Sequence, residues 1–399
     1  MSARNVRVIQ GRRVTVTLIL LTLLVVGGAG NRKQESHEVV RSDLDGVPLV
    51  VTQGSPQRQE ALFDLESDLV LGVDFSEPEW QQFGALSAFL IGPDGQIVLA
   101  DSRRHEVFIA SSEGDLLARC GGHGSGPREF QELWSLFWVE AGHAFMAWDR
   151  QLVRMTTFDL QGELVGTLSY ALGGPTPWRY LNVLPDGRFL ASNRLAVQGD
   201  PTVTMRYWIL DQELRLTGDL IDLETTAYSW PRPNRPRQMP FVRLAEAVPS
   251  GPKRVLSFDP YEGLLTFRDL QGNPLLHFRR DWGNRRLTAN DRRSVTDPSG
   301  QPVPASEFEF PDRHPAFDQA LADDKGNIWV ERTAGPWPED VREEYVYDIF
   351  DNTGVWIAIQ RLPFRPSTDS DWIRGSCLYR VFRAEGGGLR FERLRMLTP

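Results

Sequence analysis

Cysteine is nearly absent from this chain: there are two in 399 residues, Cys120 and Cys377. That excludes a disulfide-dense scaffold and a thiolate metal framework. The two read as small buried apolar side chains, though their wide separation would still permit a bridge if the units carrying them adjoin. Histidine is also sparse, with 6 residues and no dense cluster, which disfavours a zinc lyase. No Gly-x-Ser-x-Gly, His-Glu-x-x-His or Cys-x-x-Cys motif occurs, so no familiar catalytic signature is written locally. A triad assembled from scattered residues is defined by geometry and leaves no trace of this kind. Positive charge is in deficit. The formal charge is −9, and the first thirty residues hold Arg4, Arg7, Arg12 and Arg13 with no acid, so the remaining body stands at −13. Such a body is unsuited to neutralising phosphates, which argues against nucleic acid as a partner.

Long apolar runs are missing except at the start. Val14–Val26 follows the basic residues and precedes Gly27-Gly28-Ala29. This order is that of an export signal cleaved near Ala29, with an uncleaved membrane anchor as the alternative for residues 1–30. The run is shorter than the roughly 20 residues of a comfortable spanning helix. Asn31 stands near the place where a lipoprotein would carry its acylated cysteine, so lipidation is not supported. The expected location is extracytoplasmic, in the periplasm or at the cell surface, with the membrane reached only through this segment.

What is present is a repeat. From Ala88 to Arg119, apolar runs of four or five residues alternate with turn signals such as Pro93-Asp94-Gly95 and Ser112-Glu113-Gly114, the pattern of a four-stranded antiparallel meander. Comparable units follow at 136–167, 180–220, 241–278, 316–361 and 372–396. Pro185-Asp186-Gly187 repeats the first turn two units later, a period of about 46 residues and suited to propeller blades. The pattern predicts an all-β, six-bladed propeller over 65–399. Its sixth unit has only three convincing strands, so an N-terminal strand within 31–64 is expected to complete it and remove an exposed edge. Val47–Thr52 is the candidate. Thr225–Pro240, rich in proline and arginine, predicts an extended, non-helical insertion. A second insertion covers 279–310, where Thr288-Ala289-Asn290-Asp291 is positioned to cap a short helix.

Asp94-Gly95-Gln96-Ile97-Val98-Leu99-Ala100-Asp101, followed by Glu106–Ala110 and Gly114, resembles the NHL repeat. Gly121–Phe130 looks like the Gly-rich, Gly-Pro-x-Glu-Phe connection of exported bacterial six-bladed propellers of that type, and Lys325–Val330 with Tyr347–Asp351 looks like a later blade. The resemblance departs where Arg103-Arg104-His105 replaces the usual Asn-x-Arg. It implies the fold and leaves activity open, since some related propellers are metal-dependent lactonases or lyases.

Three groups are candidate sites. Asp101, Asp149, Asn193, Asp259 and Glu331 fall near the ends of successive second strands. Such a ring of oxygens could hold Ca²⁺ at the central channel, or could accept backbone hydrogen bonds in tight turns. The loop Gly121–Pro127 could cradle an anion beside His123, or let the chain cross sharply between blades. Arg279, Arg280, Arg285 and Arg286, followed by Arg292-Arg293, could bind an acidic ligand or be a solvated insertion. The tryptophans at 134, 138, 148, 208 and 329 read as packing between blades. The expectation is a binding or scaffold module for a protein, peptide or small molecule at the propeller face, with no catalysis and no cofactor. A Ca²⁺-type hydrolase or lyase at the channel is the alternative.

Overall fold

The computed structural model describes residues 37–58, 60–72, 78–139, 143–169, 180–184, 186–197, 199–232, 235–251, 253–283, 285–295, 301–333, 344–366, 372–385 and 387–397. Residues 1–30, expected to be an export segment, lie outside them. Within them, six four-stranded antiparallel meanders form the blades of a propeller ring. Blade one comprises Leu86–Ile91, Ile97–Asp101, Glu106–Ala110 and Leu116–Gly121, in register from the channel outward. Blades two to five repeat this order, starting with the inner strands Leu133–Val139, Tyr180–Val183, Glu246–Pro249 and Gln319–Ala322. Blade six has a short inner strand, Ile373–Arg374, then Cys377–Arg383 and Leu389–Leu397.

A sheet of this kind is apolar on both faces, because each face packs on a neighbouring blade. The core is accordingly divided into clusters, each bridging two adjacent blades. Val98, Phe145 and Phe158 join blades one and two; Trp148 and Phe189 join two and three; Tyr207 and Val255 join three and four. Phe267, Phe278 and Phe350 join four and five, and Trp329 and Trp372 join five and six. The series closes with Tyr379 and Phe391 of blade six against Phe89 and Phe108 of blade one. Trp148 and Trp329 are thus packing residues. Cys120 is buried and Cys377 half-buried, both as free thiols, and burial pushes the Cys120 thiol up to about 12.

The closing strand is not Val47–Thr52. Asp64–Leu71 supplies the fourth strand of blade six, antiparallel to Leu389–Leu397. Charge explains the choice. Leu389–Leu397 presents Arg393 and Arg395, which meet Asp68 at 2.8 Å and Glu66 at 3.0 Å. Val47–Gln53 has no acid to offer. It runs parallel to the outer strand of blade four, Pro274–Arg280, with Glu38–Leu44 folded back beyond it to make a six-stranded sheet. Val50 and Thr52 are buried there, and the Thr52 hydroxyl accepts the Trp356 N–H of blade five at 3.1 Å. The hairpin therefore seals the groove between blades four and five.

The proline-rich insertion is extended, as its composition implies, but paired into a hairpin of Tyr228–Arg232 and Arg235–Gln238. The second insertion forms the helix Ala289–Arg293, closed by a reciprocal capping box between Thr288 and Asp291. Leu71, 3% exposed, seals the ring between blades six and one. Leu71→Ala is expected to lower unfolding free energy by about 3 kcal/mol. Leu397→Ala, at an exposed position of the same sheet, should change it by less than about 0.5 kcal/mol. Urea denaturation of both variants checks the pair.

Candidate functional site

The two ends of the channel differ in what their polar groups do. At the end carrying the connections between blades, the second-strand acids are turned into the fold. Asp101 is fully buried. Its Oδ2 accepts the Gly84 N–H at 2.6 Å, and its Oδ1 accepts those of Ala85 at 3.0 Å and of Arg103 and Arg104 at 3.1 Å. Asp149 repeats the arrangement, accepting from Gln131 at 2.7 Å and Leu152 at 2.8 Å. Each carboxylate thus ties the incoming connection to the following turn. Asp259 holds only its own turn, through the amides of Tyr261 and Glu262.

The other two positions differ. Asn193 does not end its strand, which continues from Phe189 to Ala196. Glu331 is buried, accepts from Arg365 Nε at 2.8 Å and lies 3.5 Å from the Tyr347 hydroxyl. Burial pushes the Tyr347 pKa up, reinforced by the charge of Glu331. Among the described residues no three His, Cys, Asp or Glu side chains converge closely enough to hold a metal ion.

The Gly-rich loop already contains an anion of its own. Glu129 folds back into it and accepts the Gly126 N–H at 2.8 Å, while Gly122 and Gly124 donate to the carbonyls of His105 and Phe130. Gly121, at φ +105°, passes so close that a Cβ there would lie 2.6 Å from the His105 carbonyl. The glycines serve the crossing between blades. His123 stands edge-on to His105, ring centroids 4.7 Å apart.

The arginine pairs separate. Arg280 is inside, stacked on Trp282 and Trp356, and donates to the buried Asp348 at 2.8 Å. Arg332 approaches the same carboxylate at 2.6 Å. Arg279, Arg285 and Arg286 are exposed, with Arg285 3.4 Å from Asp291. They do not form one surface with Arg280. The Arg280–Asp348–Arg332 group was not apparent from the sequence, because Arg280 lies on blade four and its partners on blade five.

The opposite end is open. A cavity of about 680 Å³ occupies the channel mouth on the side of the turns between first and second strands. Four consecutive blades contribute, through Asn182, Ser250, Arg254, Leu321, Asn352 and Ile373 among others. Arg254 stands just before the apolar start of the second strand of blade four, Val255, at the position that Gln96, Arg188 and Asn327 hold in blades one, three and five. Polar residues recur at this position, so the sequence alone does not single Arg254 out. A smaller cavity of about 260 Å³ separates blade six from blade one, between Phe89 and Tyr379.

No family model matches the chain, and no curated protein matches it. Solved structures do resemble it. A Bacteroides fragilis protein, named as a candidate exported protein, is 12% identical at a TM-score of 0.49, covering 83% of this chain and 95% of its own. A member of the DUF4221 family from Bacteroides vulgatus is 11% identical at 0.46, covering 85% and 100%. Virginiamycin B lyase from Staphylococcus aureus is 8% identical at 0.38, covering 84% and 100%. None of the three carries an activity over to this chain.

Removing the Asp101 carboxylate leaves buried amides unpaired. Asp101→Ala is expected to cost on the order of 3 kcal/mol of stability, read by urea denaturation. Asp291 supplies a pH test. Its partial desolvation opposes the shift, but hydrogen bonds from the Thr288 N–H and hydroxyl, with His314 Nε2 3.3 Å away, hold its pKa down to about 2. Its contribution is present above the ordinary aspartate value and is lost as pH falls through about 2. The stability difference between wild type and Asp291→Ala should therefore be constant above about pH 5 and shrink towards pH 2.

Proposed function

We propose that this chain is an exported propeller of NHL-like type that binds a protein, peptide or small molecule at a face of its ring and catalyses no reaction. One observation carries the reading. The acids that a hydrolase or lyase would place in the channel are engaged by turn amides or arginines, while the opposite mouth presents an open cavity framed by four blades. A rigid ring with loops gathered at its mouth suits a composite binding site.

Export is supported by the basic residues, apolar run and small residues of 1–30. Among the described residues no helix is long and apolar enough to cross a membrane. Glu38 enters on the face of the interblade connections, since its strand is antiparallel to Val47–Gln53, which follows the outer strand of blade four. A retained anchor would thus hold that face towards the membrane and leave the open mouth facing away.

The test is a thermal-shift screen of the native exported protein with Ca²⁺, EDTA and cell-envelope ligands, run beside lactone-hydrolysis and lyase assays. Neither Ca²⁺ nor EDTA is expected to move Tm by more than about 1 °C, whereas a binder raises it in proportion to ligand concentration over Kd. Ca²⁺-dependent turnover would overturn the reading. Mass spectrometry of the native N-terminus is expected to find cleavage near Ala29.

A further inference from the structure

The geometry points to the channel mouth as a site for an organic carboxylate with an apolar body, gripped by Arg254. This rests on the reading of the ring as a binding module and assigns its ligand class. Arg254 lies over the Phe267 ring, 3.9 Å from guanidinium carbon to centroid. Its Nε donates to the Ser250 carbonyl at 3.0 Å, and its Nη1 reaches the Asn352 carbonyl at 3.4 Å. Two neutral acceptors thus orient the guanidinium without neutralising it. No carboxylate of the described residues lies within 4.0 Å of its nitrogens. Burial alone lowers its pKa, with no neighbouring acid raising it. Arg280 and Arg365, by contrast, each sit on a buried acid.

Two acids, Asp323 and Asp324, line the same cavity, and both are engaged by neighbouring N–H groups. Asp323 accepts the amides of Lys325 and Asn327 and the Trp329 indole N–H, and Asp324 Oδ2 accepts the Gly375 N–H at 2.6 Å. A planar guanidinium with unspent N–H groups matches a carboxylate through paired hydrogen bonds. The walls beyond it are apolar, from Val183, Val248, Leu321 and Ile373 of four successive blades. A head group on Arg254 therefore leaves the rest of the ligand against aliphatic side chains, in a volume suited to a small molecule.

The probe is phenylacetate, titrated calorimetrically into the full chain, with phenylacetamide as its neutral isostere and inorganic phosphate as an anion without an apolar body. Phenylacetate is expected to bind at least about 10-fold more tightly than either, and Arg254→Met to weaken it by at least about 10-fold. Arg254→Lys, which keeps the charge but not the fork, should fall between. Equal binding of the amide, a preference for phosphate, unchanged affinity in Arg254→Met, or no phenylacetate binding up to about 10 mM each overturns the assignment. Should Arg254→Met fail to fold, Asn182→Phe fills the cavity from blade three with Arg254 intact. It is expected to abolish phenylacetate binding, and unaltered affinity would overturn the site. An envelope ligand from the screen that stabilises wild type and Arg254→Met equally would remove the carboxylate site and leave the binding-module reading standing.

Discussion

Every blade depends on being covered on both faces. A four-stranded sheet with Val98, Phe108 and Ile109 on its two sides has no solvent-facing surface to spare, and only a closed ring gives each blade two neighbours. The contact between blades six and one is therefore the critical one, because most of blade six lies at the far end of the chain from blade one. Asp64–Leu71 joins them covalently: it belongs to the sheet of blade six and leads directly towards blade one. The pairs Asp68–Arg393 and Glu66–Arg395 select the register, and burial of Leu71 beside Phe391 and Phe108 supplies the stabilisation. Exposed pairs of this sort contribute little energy, so their value is in specifying which strand goes where.

The same requirement explains the fate of the polar groups around the channel. Each passage between blades exposes backbone amides that no ladder can satisfy. A carboxylate at the end of the second strand is well placed to accept them, as Asp101 does for four and Asp149 for those of its own crossing. Where two arginines converge, a buried acid between them serves instead, as Asp348 does for Arg280 and Arg332. A ring of oxygens at similar depth is thus what repeated strand-to-strand crossings produce for their own purposes, and it has the outward look of a cation site.

This bears on what could be read from the chain. The six meanders, the turns Pro93-Asp94-Gly95 and Pro185-Asp186-Gly187, and the capped helix at Thr288 were legible, since period and turn chemistry are local properties. The identity of the closing strand was not legible from β-propensity, which favours Val47–Thr52 over Asp64–Leu71. The deciding signal was the alternation of acids in the latter against arginines in Leu389–Leu397, a long-range match that needs both strands aligned. Asn193 was misplaced for a related reason: blade three has longer strands, so the position that ends them elsewhere lies mid-strand here. The partners of Arg280 and Glu331 come from distant positions, Asp348 and Arg365, and no spacing rule connects them.

Arg254 is informative for what surrounds it. Arg188, at the equivalent position of blade three, is paired with Asp186 at 2.6 Å, whereas Arg254 has no carboxylate of the described residues within 4.0 Å. Desolvating a guanidinium beside Phe267 is unfavourable unless its charge is used. Asp348 uses the charge of Arg280 and Glu331 that of Arg365, and both join blades or connections. Arg254 contacts only carbonyls of adjacent loops, at the one end of the channel where the ring stays open. At the face where the chain crosses between blades, Asp101, Asp149 and Glu331 are engaged by amides or by arginine. Arg254 lines the cavity at the other with no carboxylate of the described residues on it, and on that asymmetry rests the proposal that recognition belongs to the open mouth.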